Sequence, residues 1–167
     1  MHQQINQISI LLGFIVLVIA GLVWFGGSGT KTPAIIDGAY AGTLIAKESK
    51  YDFGTVSMAK GLVSKEFTLE NQSKDSVKIG EVSTSCMCTE AELKVGDKTA
   101  GPFGMPGHGG APKANLIVKP GEKLVVKTIF DPAAHGPAGV GPIERQVMIS
   151  TGAASPMVLE FKAIVEP

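Results

Sequence analysis

The chain has 167 residues, and its fifteen basic residues balance its fifteen acidic ones, so the formal net charge is zero. Neither sign of charge forms a block, which excludes strong attraction to nucleic acid or to an anionic membrane surface. Gly (21) and Pro (10) are abundant and aromatic residues make up only 6%, a composition typical of short strands joined by turns. We therefore expect one domain rich in β-strands.

The first feature along the chain is the uncharged apolar run 8–25, which follows a short tail, residues 1–7. A helix of this length, at ~1.5 Å per residue, crosses most of a bilayer core. Trp24 and Phe25 end the run, where aromatic rings favour the membrane interface. A cleaved signal peptide is the alternative, but the tail carries no Lys or Arg and no small-x-small site follows. We expect an uncleaved, single-pass signal-anchor.

Residues 26–47 are rich in Gly, Ser, Thr and Ala, which predicts a flexible tether between the membrane and a domain over 48–167. The tail lacks the basic residues that would hold it in the cytoplasm, so the positive-inside rule does not determine the orientation. We place the domain outside the cytoplasm, at the cell membrane, because one N-terminal span followed by a β-domain is the simplest export arrangement.

Seven segments of the domain show strand character, most of them as an alternation of apolar and polar residues. They are 51–56, 63–69, 77–88, 93–95, 123–130, 145–150 and 157–165. The sequence shows no internal repeat and no convincing helix in this region. The pattern predicts an all-β fold, an immunoglobulin-like β-sandwich of about seven strands preceded by the one transmembrane helix.

The third of these segments contains the only two cysteines, Cys86 and Cys88. Its inward positions change from odd numbers to even numbers near Gly80-Glu81, which predicts a β-bulge that aims the cysteines. On an extended strand both sulfurs lie on one face with Cα atoms roughly 6 to 7 Å apart, so a disulfide requires a bent backbone. Three states stay open: packed thiols, a strained and reducible disulfide, or two thiolates on one soft metal ion.

Two loops rich in Gly and Pro carry further candidate ligands. The loop from about 96 to 114 contains Met105 and His108, and the loop 131–139 contains His135. Thiolate, thioether and imidazole groups select soft or borderline ions, so these residues and the cysteine pair form a candidate site for Cu(I) or Zn(II). The alternative is that the cysteines cap the core and the histidines lie in solvent.

Several short motifs, in their order along the chain, resemble a bacterial family. They are Asp52-Phe53-Gly54-Thr55-Val56, Phe67-Thr68-Leu69-Glu70-Asn71, Ser85-Cys86-Met87-Cys88-Thr89, Pro120-Gly121-Glu122, Phe130-Asp131 and Phe161-Lys162-Ala163-Ile164-Val165. From about Tyr51 to Val165 the chain is similar to the domain of unknown function 1573 family, which belongs with the Hydin-like immunoglobulin-like domains. The resemblance implies a β-sandwich, frequently exported or tethered to a membrane, and implies no activity. The chain departs from the family in Met87, where Gly is usual, and in the insertion that contains Met105.

The sequence offers no Gly-x-Ser-x-Gly elbow, no His-Glu-x-x-His motif and no phosphate-binding loop. We expect a non-enzymatic binding or structural module that meets a protein partner at the cell surface through its loops or edge strands. Soft-metal binding is the first alternative. A thiol redox module is the second, although the sequence lacks the Cys-x-x-Cys spacing and helix N-terminus that favour thiolates in thioredoxin-like proteins.

Overall fold

The computed structural model describes residues 44–107 and 113–167. The predicted tail, transmembrane helix and most of the tether lie outside the described residues, and so does His108. The described part of the chain contains no helix that is long and apolar enough to cross a bilayer. All of the described residues fall within one compact unit.

Ten strands and two short 3-10 helices, Met58–Lys60 and Gly136–Gly139, form the described part of the chain. The strands are β1 (Leu44–Ala46), β2 (Lys50–Ser57), β3 (Val63–Asn71), β4 (Val77–Thr84), β5 (Thr89–Val95), β6 (Lys98–Phe103), β7 (Lys113–Val118), β8 (Lys123–Phe130), β9 (Gly141–Ile149) and β10 (Met157–Glu166).

The strands form two five-stranded sheets. The first has the order β1-β3-β8-β5-β6 and the second has the order β2-β10-β9-β4-β7. All neighbours are antiparallel except β2 and β10, which run parallel. Lys50 Nζ lies 2.8 Å from Glu160 Oε1 at the start of this pair, and that hydrogen bond lowers the pKa of Glu160. The predicted all-β fold of two packed sheets is confirmed.

Alternation builds the core, because successive side chains of a strand point to opposite faces of its sheet. In β8 every second residue, from Leu124 to Phe130, is buried. The larger core cluster lies between the sheets, and a smaller one lies where β2, β8 and β10 end and β5 begins. The buried members of this smaller cluster are Val56, Cys88, Phe130, Phe161, Ala163 and Val165.

The strand count differs from the prediction of about seven. All seven predicted segments contain a strand, and β1, β6 and β7 are additional. β1 forms from the end of the segment predicted as tether, and β6 lies inside the predicted loop 96–114. All three are short strands at the edges of their sheets, where one side is unpaired and few residues are buried. Such strands show little alternation, which is why the pattern did not indicate them.

The predicted bulge at Gly80-Glu81 is confirmed. The Gly80 N–H donates to the Ser150 carbonyl at 2.8 Å, and the Ser150 N–H donates to the Glu81 carbonyl at 2.8 Å. Gly80 and Glu81 of β4 therefore both face Ser150, which is the geometry of a bulge. The buried residues of β4 are at odd positions before the bulge, Val77 and Ile79, and at even positions after it, Val82 and Thr84. The phase change sets the direction in which the chain leaves β4.

Candidate functional site

The two cysteines lie in a tight connection between β4 and β5, not on a strand as predicted. β4 ends at Thr84, whose hydroxyl lies 2.9 Å from the Cys86 carbonyl oxygen, and the Thr89 N–H donates to the same oxygen at 3.1 Å. The Ser85 N–H donates to the Gln146 carbonyl at 2.9 Å. These bonds hold both ends of the connection, which we call the cysteine turn (Ser85–Cys88), against its neighbouring strands.

The structure joins Cys86 and Cys88 in a disulfide. Their Cα atoms are 5.3 Å apart, less than an extended strand allows, so the bent backbone required for a local disulfide is present. Cys88 is buried, with 3% of its surface exposed, whereas Cys86 is only half-buried and Met87 is 57% exposed. The two sulfurs therefore differ in their access to solvent.

His135 reaches Cys86 from the loop that follows β8. The Asp131 N–H donates to the Cys88 carbonyl at 2.9 Å, which ties the start of this loop to the cysteine turn. A Cβ added to Gly139 would lie 3.2 Å from His135 Cβ, so the loop packs closely on itself there. The Nε2 atom of His135 lies 3.2 Å from Cys86 Sγ.

Arg145, on β9, approaches the other sulfur. Its Nε–H donates to Cys88 Sγ over 3.3 Å, and its Nη1 donates to the Glu144 carbonyl at 2.8 Å. The Thr89 hydroxyl lies 3.7 Å from the same sulfur. Cys88 Sγ thus has a cationic neighbour, which is a suitable partner for a sulfur that becomes negatively charged.

The ligand atoms of Cys86, Cys88 and His135 all lie within 4.8 Å of one another. Below them is the smaller core cluster, in which the Phe161 ring lies 5.4 Å from the Phe130 ring and 5.3 Å from the Phe53 ring. Two sulfurs, an imidazole and a guanidinium therefore meet on an apolar floor at one end of the sandwich. This arrangement is suited to soft-metal binding and to sulfur exchange.

The part of the chain that contains both cysteines matches a known protein family. Residues 44–101 match the family model described as "Protein of unknown function (DUF1573)". This segment belongs to the DUF1573 family. The resemblance predicted from the sequence is confirmed for it, and the DUF1573 segment contains both cysteines but neither His135 nor Arg145. No curated protein sequence matches the chain.

One solved structure extends the likeness of fold beyond the DUF1573 segment. A protein of unknown function from Porphyromonas gingivalis has a TM-score of 0.54 and 15% identity; the match covers 80% of this chain and 51% of that one. The chain therefore spans about half the length of that protein. A PapD-like domain of human CEP192 has a TM-score of 0.41 and 13% identity, over 74% of this chain and 84% of that one. At these identities the likeness concerns the fold alone.

The predicted ligands fall into three groups. Cys86, Cys88 and His135 come together. Met105 is half-buried after β6, next to Gly104, whose carbonyl accepts from the Thr84 N–H at 3.1 Å. This contact brings the backbone beside Met105 to the end of β4, and its role as a ligand stays a prediction. His108 lies outside the described residues, so its role stays a prediction as well.

The sequence reasoning missed Arg145, which is the only arginine of the chain. A signal was present, because Val147 and Ile149 on the same strand are buried and Arg145 occupies the same inward phase. A cation at an inward position of a strand indicates a polar partner nearby. In this chain that partner is the sulfur of Cys88.

Proposed function

We propose that this chain is a Cu(I)-binding module, with Cys86 and Cys88 as thiolates and His135 as a neutral imidazole ligand. The observation that carries the proposal is the meeting of these three ligand atoms within 4.8 Å. The disulfide form offers no thiolates, so the binding form is the reduced one.

The spacing of the ligand atoms supports a shared ion. Sulfur and nitrogen atoms at about 2.3 and 2.0 Å from one ion lie roughly 3.5 to 4 Å apart in trigonal or tetrahedral geometry. The 3.2 Å separation between Cys86 Sγ and His135 Nε2 lies close to that range. The two sulfurs are bonded to each other in this structure, and reduction frees them to separate to the same range.

The charges around the site favour Cu(I) over Zn(II). Two thiolates and a neutral imidazole around Cu(I) carry one net negative charge, and the Arg145 guanidinium beside Cys88 balances it. With Zn(II) the same ligands are already neutral, and the arginine adds an uncompensated positive charge. Thiolates bind both ions, so the preference for Cu(I) rests on this charge balance.

We infer an immunoglobulin-like β-sandwich of non-enzymatic role, anchored by the apolar run 8–25 in the cell membrane, with the domain outside the cytoplasm. The length and lack of charge of the run support the anchor. A partner that delivers or receives copper would meet the cysteine turn, where the half-buried Cys86 and the exposed Met87 lie.

Copper binding is tested with the full chain, reduced with dithiothreitol and freed of reductant under nitrogen. We expect the reduced chain to withdraw one Cu(I) per molecule from a chromophoric Cu(I) chelator and to keep it in the presence of excess Zn(II). Oxidised chain serves as the control and should withdraw none. Failure of the reduced chain to compete, or preferential uptake of Zn(II), would contradict the copper assignment.

The orientation is tested separately in a bacterial expression host that has no outer membrane and carries the full chain with an epitope tag after Pro167. We expect protease added to unpermeabilised cells to remove the tag, because the C-terminus follows β10 of the exported domain. A cytoplasmic protein that stays intact in the same cells serves as the control. Full protection of the tag, with cleavage only after permeabilisation, would place the domain inside the cell.

A further inference from the structure

We propose that the cysteine pair undergoes directed thiol-disulfide exchange with a dithiol partner, in which Cys86 is attacked and Cys88 is the leaving sulfur. This activity uses no metal and does not depend on the copper proposal. It uses Arg145, the cation beside Cys88, which the metal-ligand set does not include.

The two sulfurs differ in how easily an incoming thiolate reaches them. Exchange begins when a thiolate attacks one sulfur of the disulfide along the S–S axis, so the attacked sulfur must be reachable. Cys86 is the more accessible of the two, because it is only half-buried and lies next to the exposed Met87. Cys88 has 3% of its surface exposed and belongs to the smaller core cluster. An incoming protein thiol therefore meets Cys86.

The two sulfurs also differ in how well their surroundings stabilise the electron pair of the broken bond. The better leaving sulfur is the one whose negative charge is better stabilised. Arg145 Nε–H points at Cys88 Sγ over 3.3 Å, with the Thr89 hydroxyl 3.7 Å away. In thioredoxin-like proteins a helix N-terminus supplies the positive field that stabilises a thiolate. Here Arg145 supplies that field instead. Access and charge stabilisation select the same direction.

The exchange proceeds in two balanced steps. A thiolate of the partner attacks Cys86 Sγ, the bond between Cys86 and the partner forms, and the Cys86–Cys88 bond breaks with its electron pair on Cys88. The second thiolate of the partner then attacks the partner sulfur of the mixed disulfide and releases Cys86 as a thiolate. Two electrons pass to the cysteine pair, the partner dithiol becomes a disulfide, and its two protons go to solvent or to the new thiolates.

Single-cysteine variants of the full chain test the accessibility of each sulfur, on which the direction of attack depends. The probe is an aromatic disulfide such as dithiobis(nitrobenzoate), used at an alkaline pH where both thiols are ionised, with copper and zinc removed by chelators. Cys88→Ser leaves Cys86, and we expect it to react at least about ten-fold faster than Cys86→Ser, which leaves the buried Cys88. Equal rates, or a faster Cys86→Ser variant, would overturn the direction.

Reduction of the wild-type disulfide by dithiothreitol tests the role of Arg145. We expect Arg145→Met to slow the reduction at least about ten-fold, and Arg145→Lys to restore part of the rate, because a charged hydrogen bond to the leaving sulfur is lost and then partly replaced. Lys162→Met, which removes an exposed cation paired with Asp52 at 3.3 Å, is the matched control. Circular dichroism confirms that each variant is folded. An unchanged rate in folded Arg145→Met would overturn the proposal, whatever the chain's affinity for copper.

Discussion

Replacing Cys88 with serine is expected to lower the affinity of the reduced chain for Cu(I) by more than about 100-fold. Loss of a residue outside the ligand shell typically costs 10- to 100-fold in metal affinity, and loss of a ligand itself costs more. The serine hydroxyl is a hard oxygen donor that remains protonated, so it does not replace a thiolate on a soft ion. The measurement is a competition titration of the variant against a chromophoric Cu(I) chelator.

Met87→Leu is the matched control for this experiment. Met87 lies between the two cysteines in the same turn, but its side chain is 57% exposed. The substitution removes a thioether and leaves both thiols in place, so we expect an affinity within about three-fold of wild type. If Cys88→Ser binds Cu(I) as tightly as Met87→Leu does, Cys88 is not a ligand.

Phe161→Ala is expected to lower the free energy of unfolding by about 3 to 5 kcal/mol. Phe161 has 1% of its surface exposed and packs between the rings of Phe53 and Phe130. Its removal leaves a cavity in the smaller core cluster, which also contains Cys88, so the floor of the site loosens. Urea unfolding of the oxidised chain, followed by circular dichroism, measures the change.

Ile164→Ala provides the comparison on the same strand. Ile164 has 52% of its surface exposed, so its truncation should change the free energy of unfolding by less than about 1 kcal/mol. A similar small change in Phe161→Ala would show that the smaller core cluster contributes little to stability.

The sequence by itself determined the parts of this protein that depend on neighbours along the chain. β8 and β10 follow from alternation, because a strand with one buried face repeats every two residues. The phase change at Gly80 indicated the bulge for the same reason. The closeness of Cys86 and Cys88 is local as well, because they are two residues apart.

The tertiary structure alone decided which groups meet the cysteines. His135 is 49 positions from Cys86, and Arg145 is 57 positions from Cys88. The two reach the sulfurs from the loop after β8, in one sheet, and from β9, in the other. Their meeting depends on how the sheets pack and on where β4 ends. The inward phase of Arg145 on β9 indicates that it has a polar partner, but no pattern along the chain identifies that partner as a cysteine 57 positions away, so the sequence identified the sulfurs and not the arginine beside them.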